Sequence, residues 1–137
     1  MIDFDLLKEE LVRDEGYKTH LYKDSVGKYT IGIGHNIDDK GLPHAVIDLL
    51  YQIDVDEVIT DLDKSFPWWK QLTPNRQRVL INLCFNMGLP VLKTFVNTLK
   101  AMANNDTQGV VIGLTNSKWY KQVGNRAIRL VKMWETG

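Results

Sequence analysis

Residues Arg13 to Asn36 read RDEGYKTHLYKDSVGKYTIGIGHN, and in this stretch a helical pattern gives way to a strand pattern. Upstream, Phe4, Leu7 and Leu11 recur at i, i+3 and i+7, which predicts a helix over 3–14. Asp3 or Asp5 can cap its start, and Gly16 can stop it. Glu15 then falls in the last turn, where unpaired carbonyls make a carboxylate unwelcome, a setting that suits a proton donor. An arginine beside it would act in the opposite sense, so the balance stays open at this level. Downstream, Tyr22, Tyr29, Ile31 and Ile33 are strand formers and DSVGK supplies a turn. Thr30 begins a return strand that is expected to run through Gly32 and Gly34 to His35. Its isoleucines alternate with the glycines, leaving a bare face for a ligand, or else marking a bulge or tight crossing. Glu15, Asp24 and Thr30 are thus expected to meet at one cleft, two carboxyls and a hydroxyl facing a substrate.

Beyond this stretch the pattern is helical. Pro43 suits a first helical position, and Leu49, Leu50 and Ile53 follow it. Asp54 with Glu57 resembles a capping box, so the segment reads as one bent helix or two. Pro67 breaks the periodicity at SFPWWKQL, where Trp68 and Trp69 are expected to pack in a core or between lobes rather than stack a sugar. Thr73-Pro74 opens the most apolar helix, ending at Gly88, and Pro90 opens another carrying Leu92, Phe95, Leu99 and Met102. Residues 107–116 are ambiguous, because Val110, Val111 and Ile112 favour strand while Gly109 and Gly113 weaken either assignment. A last helix from Arg126 puts Ala127, Leu130, Val131 and Trp134 on one face. One early sheet followed by five or six helices makes an α+β fold, mostly helical, in a single domain spanning 1–137.

Composition narrows the function. Hydrophobic residues make up 44% and charged residues 25% of the chain, as in ordinary globular proteins. No apolar run approaches the roughly 18 residues of a membrane span, so no membrane insertion is expected. The acidic, amphipathic N-terminus lacks the features of a cleavable signal, which points to a chain kept in a cytoplasm until something releases it. Cys84 is the sole cysteine and lies in an apolar run, so it reads as a buried, inert thiol. Net charge is zero, yet residues 1–66 carry 7 basic against 15 acidic groups and residues 67–137 carry 10 against 2. The basic half is either one face of a charge-balanced fold or a surface that draws in an anionic polymer. No basic run with interleaved aromatics marks a nucleic-acid site.

Two carboxyls across a cleft suit glycosidic hydrolysis, in which one protonates the leaving oxygen and the other activates water or stabilises the sugar cation. The histidines, His20, His35 and His44, have no HExxH spacing and no cysteine partners, so neither a metal site nor a cofactor is expected. His35 is expected to anchor the strand end by pairing with an acid, with Asp54 the candidate.

RDEG followed by YKDSVGKYTIGIGH resembles the catalytic stretch of the phage-type, T4-like lysozymes, a family of glycoside hydrolases. The pattern of glutamate, eight residues, aspartate, five residues and threonine is matched by Glu15, Asp24 and Thr30. FNMG at 85–88, FVNTL at 95–99 and SKWYKQVGNRAIRL at 117–130 extend the resemblance to almost the whole chain. It implies a two-lobe fold, with a small antiparallel β-sheet lobe at about 15–66 joined by a helix to a helical lobe of about 67–137 plus 1–14. It favours helix for 107–116.

The activity implied is that of an N-acetylmuramidase cutting the β-1,4 bond between N-acetylmuramic acid and N-acetylglucosamine in bacterial peptidoglycan. Glu15 would be the general acid, with Asp24 and Thr30 placing and activating water in an inverting displacement. Gly34, Asn36, Phe85 and Asn86 match cleft-lining positions, and Arg126 is the cation expected beside Glu15, with His35 also supporting the site. An endolysin of this kind works as a monomer in host cell lysis. It waits in the host cytoplasm until a separate holin opens the membrane, then acts on the wall in the periplasm. The alternatives are a wall-binding or tail- or scaffold-associated module with weak catalysis, and a lytic transglycosylase.

Overall fold

The computed structural model describes residues 1–137 and confirms the mostly helical α+β class. Two compact units make up the chain, Met1–Leu49 and Leu50–Gly137. In the first, helix α1 (Phe4–Glu15) starts at Asp3, whose side chain accepts from the Leu6 N–H at 3.0 Å. It stops at Gly16, where φ is +87°. Strands β1 (Lys18–Lys23), β2 (Tyr29–Gly32) and β3 (His35–Asn36) follow as one antiparallel sheet in that order. Tyr22 pairs with Thr30 and Thr30 with Asn36, and the β1–β2 register shifts between Lys18 and Tyr22.

The expected continuous strand through TIGIGH is broken in two. Gly32 and Gly34 sit at φ +69° and +66°, left-handed values that an extended strand does not use. They make the tight turn from β2 to β3 instead of a bare strand face. A short helix, α2 (Ile37–Lys40), closes against the sheet after Asn36 caps it.

Helix α3 (His44–Ser65) follows Pro43 and is one uninterrupted helix of 22 residues, so Asp54 lies within it and caps nothing. After it the second unit is entirely helical. A 3-10 turn at Pro67–Gln71 leads to α4 (Pro74–Met87), α5 (Leu89–Leu92), α6 (Val96–Ala103), α7 (Thr107–Thr115), α8 (Lys118–Val123) and α9 (Asn125–Thr136). Leu62, Val79, Leu80, Leu83, Leu114 and Trp134 form the heart of its core. As expected, α4 is the central apolar helix and buries Cys84, whose thiol is pushed up by burial and, secondarily, by Asp61. Trp69 is buried with its indole N–H donated to Asp63 at 2.8 Å, and Trp68 packs against Phe66 at the core edge.

The ambiguous 107–116 segment is helix α7, begun by an Asp106 side chain that accepts from the Gly109 N–H. Its glycines serve packing rather than flexibility. A Cβ on Gly109 would come within 2.9 Å of the Ala101 methyl, and one on Gly113 would strike the Thr98 side chain. Those small residues let α7 lie close on α6, which repays their poor helix propensity.

Candidate active site

Glu15, Asp24, Thr30, Gly34, His35 and Asn36 all lie in the first unit, and its short elements bring them together through backbone-anchored hydrogen bonds. Glu15 is the last residue of α1, and its carboxyl lies directly on the β2–β3 turn. A Cβ built on Gly34 would stand 2.8 Å from Glu15 Oε2 and 3.1 Å from its Cγ. Glycine at position 34 therefore makes room for the acid itself. The Glu15 backbone is tied to the sheet as well, since the Tyr22 hydroxyl donates to its carbonyl at 3.4 Å. Because Tyr22 pairs with Thr30, one strand residue connects the helix end that carries the acid with the strand that carries the threonine.

Asp24 and Thr30 share a partner in Lys28. Asp24 Oδ1 accepts from the Lys28 N–H at 2.8 Å and from the Val26 N–H at 3.0 Å, so one carboxylate oxygen pins the turn. Asp24 Oδ2 takes part in no hydrogen bond of the protein. Thr30 is the one buried residue of this unit, and its hydroxyl donates to the Lys28 carbonyl at 2.9 Å. With its proton committed there, the Thr30 oxygen is left to accept, which is what holding a water by its O–H requires.

The loop between these residues is braced from α2, a feature the sequence reading passed over. Asp38 accepts from the Tyr29 N–H at 2.7 Å, and Asp39 pairs with Lys28 Nζ at 3.0 Å. That hydrogen bond is the main cause that holds the Asp39 carboxyl below its ordinary range and raises the Lys28 ammonium. The adjacent acids Asp38 and Asp39, in the first turn after a capping Asn36, were the available signal, as was the strand position of Tyr22.

Two supporting residues are held within their own unit. His35 Nε2 faces the Gly41 carbonyl at 2.6 Å, so the ring is anchored by a backbone acceptor. A carbonyl only accepts, so Nε2 carries the proton. Asn36 has both ends of its amide engaged by Asp39, accepting from the backbone N–H at 3.0 Å and donating to Oδ2 at 2.9 Å. Its first task is to start α2.

The second unit contributes a separate group on α4 and α9. Phe85 is 47% exposed despite the apolar helix it belongs to. Asn86 Oδ1 accepts from the Trp119 indole N–H at 2.8 Å. Arg126 donates from Nε and Nη2 to Asn82 Oδ1 at 2.9 and 2.7 Å. A cavity of about 410 Å³ is lined by Tyr51, Val55 and Ile81 with Asn82, Phe85 and Arg126. No three His, Cys, Asp or Glu side chains gather as a metal-holding group.

The model of the family described as phage lysozyme matches residues 12–133. Among similar proteins, the probable T4-type lysozyme 2 of Dictyostelium discoideum is 31% identical over 96% of this chain and 94% of its own. The pre-baseplate central spike protein Gp5 of Enterobacteria phage T4 is 28% identical over 96% of this chain and 28% of its own. The peptidoglycan hydrolase gp36 of Pseudomonas phage phiKMV is 27% identical over 91% and 14% respectively.

Proposed function

The chain belongs to the phage lysozyme family of glycoside hydrolases, and from that premise we propose that Glu15, Asp24 and Thr30 cut the β-1,4 bond between N-acetylmuramic acid and N-acetylglucosamine. The observation that carries the reading is the shared anchorage of Asp24 and Thr30 on Lys28, which leaves an unpaired carboxylate oxygen and an accepting hydroxyl oxygen. That pair can take a water between them, Thr30 orienting it and Asp24 Oδ2 receiving its proton. Glu15 protonates the leaving glycosidic oxygen, so bond making and bond breaking proceed in one displacement with inversion at the anomeric carbon. Gly34 makes room for the acid, while Phe85 and Asn86 contact the saccharide. Asn36 and His35 support the site by fixing the β3–α2 corner, and Arg126 supplies positive charge that offsets the acids.

For biology, we propose an endolysin that acts as a monomer on the wall of its bacterial host during lysis. In this reading a separate holin lets it out of the cytoplasm. No helix of the chain is long and apolar enough to cross a membrane. Permeabilised Gram-negative cells should clear with the wild type and not with Glu15→Gln, whose rate should fall by about 10²- to 10⁴-fold, the scale of general-acid catalysis. Equal clearing by both would end the catalytic assignment. NMR of the first product should show the inverted α-anomer, whereas anhydro-sugar ends in mass spectra would instead reveal a transglycosylase. The similarity to a central spike protein favours a second reading, a wall-cutting module of a tail assembly. A chain of that kind would digest isolated sacculi yet fail to lyse cells when expressed with a holin.

A further inference from the structure

The hydrogen bonds that aim Asp24 and Thr30 converge on the backbone of Lys28. Its N–H donates to Asp24 Oδ1 at 2.8 Å, and its carbonyl accepts from the Asp24 N–H and from the Thr30 hydroxyl, each at 2.9 Å. That carbonyl belongs to the same planar peptide group as the Tyr29 N–H, which donates to Asp38 Oδ2 at 2.7 Å. The peptide group thus has the water-placing pair at its oxygen end and a carboxylate at its hydrogen end. A carboxylate drawing on an N–H polarises the amide, and the carbonyl of the same group becomes the stronger acceptor. The Lys28 side chain is held from the same short helix, because its ammonium pairs with Asp39 Oδ1 at 3.0 Å. Asn36 fixes that helix in turn, donating to Asp39 Oδ2 and accepting from the Asp39 N–H.

A hydroxyl can rotate to present either its proton or a lone pair. Only the lone pair receives the O–H of a water, so the Thr30 proton has to stay on the Lys28 carbonyl. We infer that Asp38 is a positioning residue for the hydrolysis: through the Lys28–Tyr29 peptide group it keeps the Thr30 proton on that carbonyl and the hydroxyl oxygen toward the attacking water. The Asp38 side chain is exposed and its hydrogen bond goes to the Tyr29 N–H, so it acts at one remove from the three residues assigned to catalysis. The inference rests on the hydrolase reading above and adds to it what holds the water-placing hydroxyl in its working orientation.

Asp38→Ala removes the acceptor, and Asp38→Asn keeps a neutral one. On soluble uncrosslinked glycan strands Asp38→Ala should lower kcat about fivefold, the worth of one net hydrogen bond, with KM and melting temperature near those of the wild type. Asp38→Asn should recover most of that loss, since an amide oxygen still accepts from Tyr29. In a Thr30→Val background there is no hydroxyl to aim, so Asp38→Ala should cost less than about twofold there. An equal loss in both backgrounds, a risen KM at unchanged kcat, or an Asp38→Ala enzyme as fast as wild type overturns the inference and leaves the hydrolase reading standing. NMR reads the same link without turnover: in Asp38→Ala the Tyr29 amide proton should move upfield and the Thr30 hydroxyl proton should exchange faster. A Thr30 proton whose exchange is unchanged overturns the link. A wild type that cuts peptidoglycan no faster than Glu15→Gln overturns the hydrolase reading, and the positioning role with it, whatever the resonances show.

Discussion

The two units of this chain are held by different forces. In Leu50–Gly137, leucines 62, 80 and 83, Val79, Val110, Leu114 and Trp134 are shielded from water, so burial of apolar surface dominates. In Met1–Leu49 only Thr30 is buried, and the order visible there comes from side chains bonded to backbone: Asp24 on Lys28 and Val26, Asp38 on Tyr29, Asn36 on Asp39. Apolar burial is non-directional and tolerates rearrangement, whereas hydrogen bonds fix distance and angle. The residues assigned to proton transfer and water placement stand in the unit whose local order is directional, which is where geometry has to be exact to a fraction of an ångström.

The largest effect that could break this contrast is expected from the apolar unit. Leu80→Ala should cost about 2–5 kcal/mol of stability by emptying a fully buried site, with the surviving folded enzyme retaining wild-type kcat. Urea titration and activity per folded molecule measure both. A loss of kcat at full folding would show that the core shapes the site directly.

A matched glycine pair sharpens the comparison in the other unit. Gly32→Ala and Gly34→Ala both force alanine into positive φ, at about 1 kcal/mol each. A Cβ at Gly32 meets nothing within 4 Å, while one at Gly34 meets the Glu15 carboxyl. Similar melting temperatures are therefore expected, with kcat preserved in the first and sharply reduced in the second. Equal kcat in both would separate the acid from the turn.

The smallest effect concerns pH. Asp39 has its folded-state pKa depressed by Lys28, so its stabilisation is present above the ordinary carboxylate range and is lost as pH falls through the lowered value. Lys28 is raised, so its share is present below the ordinary lysine range and lost only as pH climbs through the raised value. Asp39→Asn should flatten the acid side of the stability curve slightly, since the pair is solvent-exposed. Melting curves from acid to neutral pH test it, and an unchanged acid limb would remove the pair from the account.

How much was legible beforehand follows from the range of each interaction. The start and stop of α1, the DSVGK turn, the burial of Cys84 and the central place of α4 were readable, because caps, turns and apolar periodicity act within a few residues. The spacing of Glu15, Asp24 and Thr30 was readable through its resemblance to a family pattern. Other features were hidden. Gly32 and Gly34 looked like alternate positions of one strand, since strand period and a two-residue turn write the same letters. The Gly41 carbonyl that holds His35 is a backbone group with no side-chain signal, and Asp54 was read as a cap inside what is one helix.

The sequence alone determined the order of elements, the α+β class and which carboxyls and hydroxyl match the family's spacing, because those are properties of neighbours along the chain. Only the tertiary structure decided that Gly34 exists to admit the Glu15 carboxyl, that Lys28 joins Asp24 to Thr30, and that Trp119 and Arg126 each bond an asparagine of α4. Asn82 and Arg126 are separated by 44 positions in the chain, and Asn86 and Trp119 by 33. A donor facing an acceptor across such a span depends on how helices pack, and packing is not written in any local run of residues.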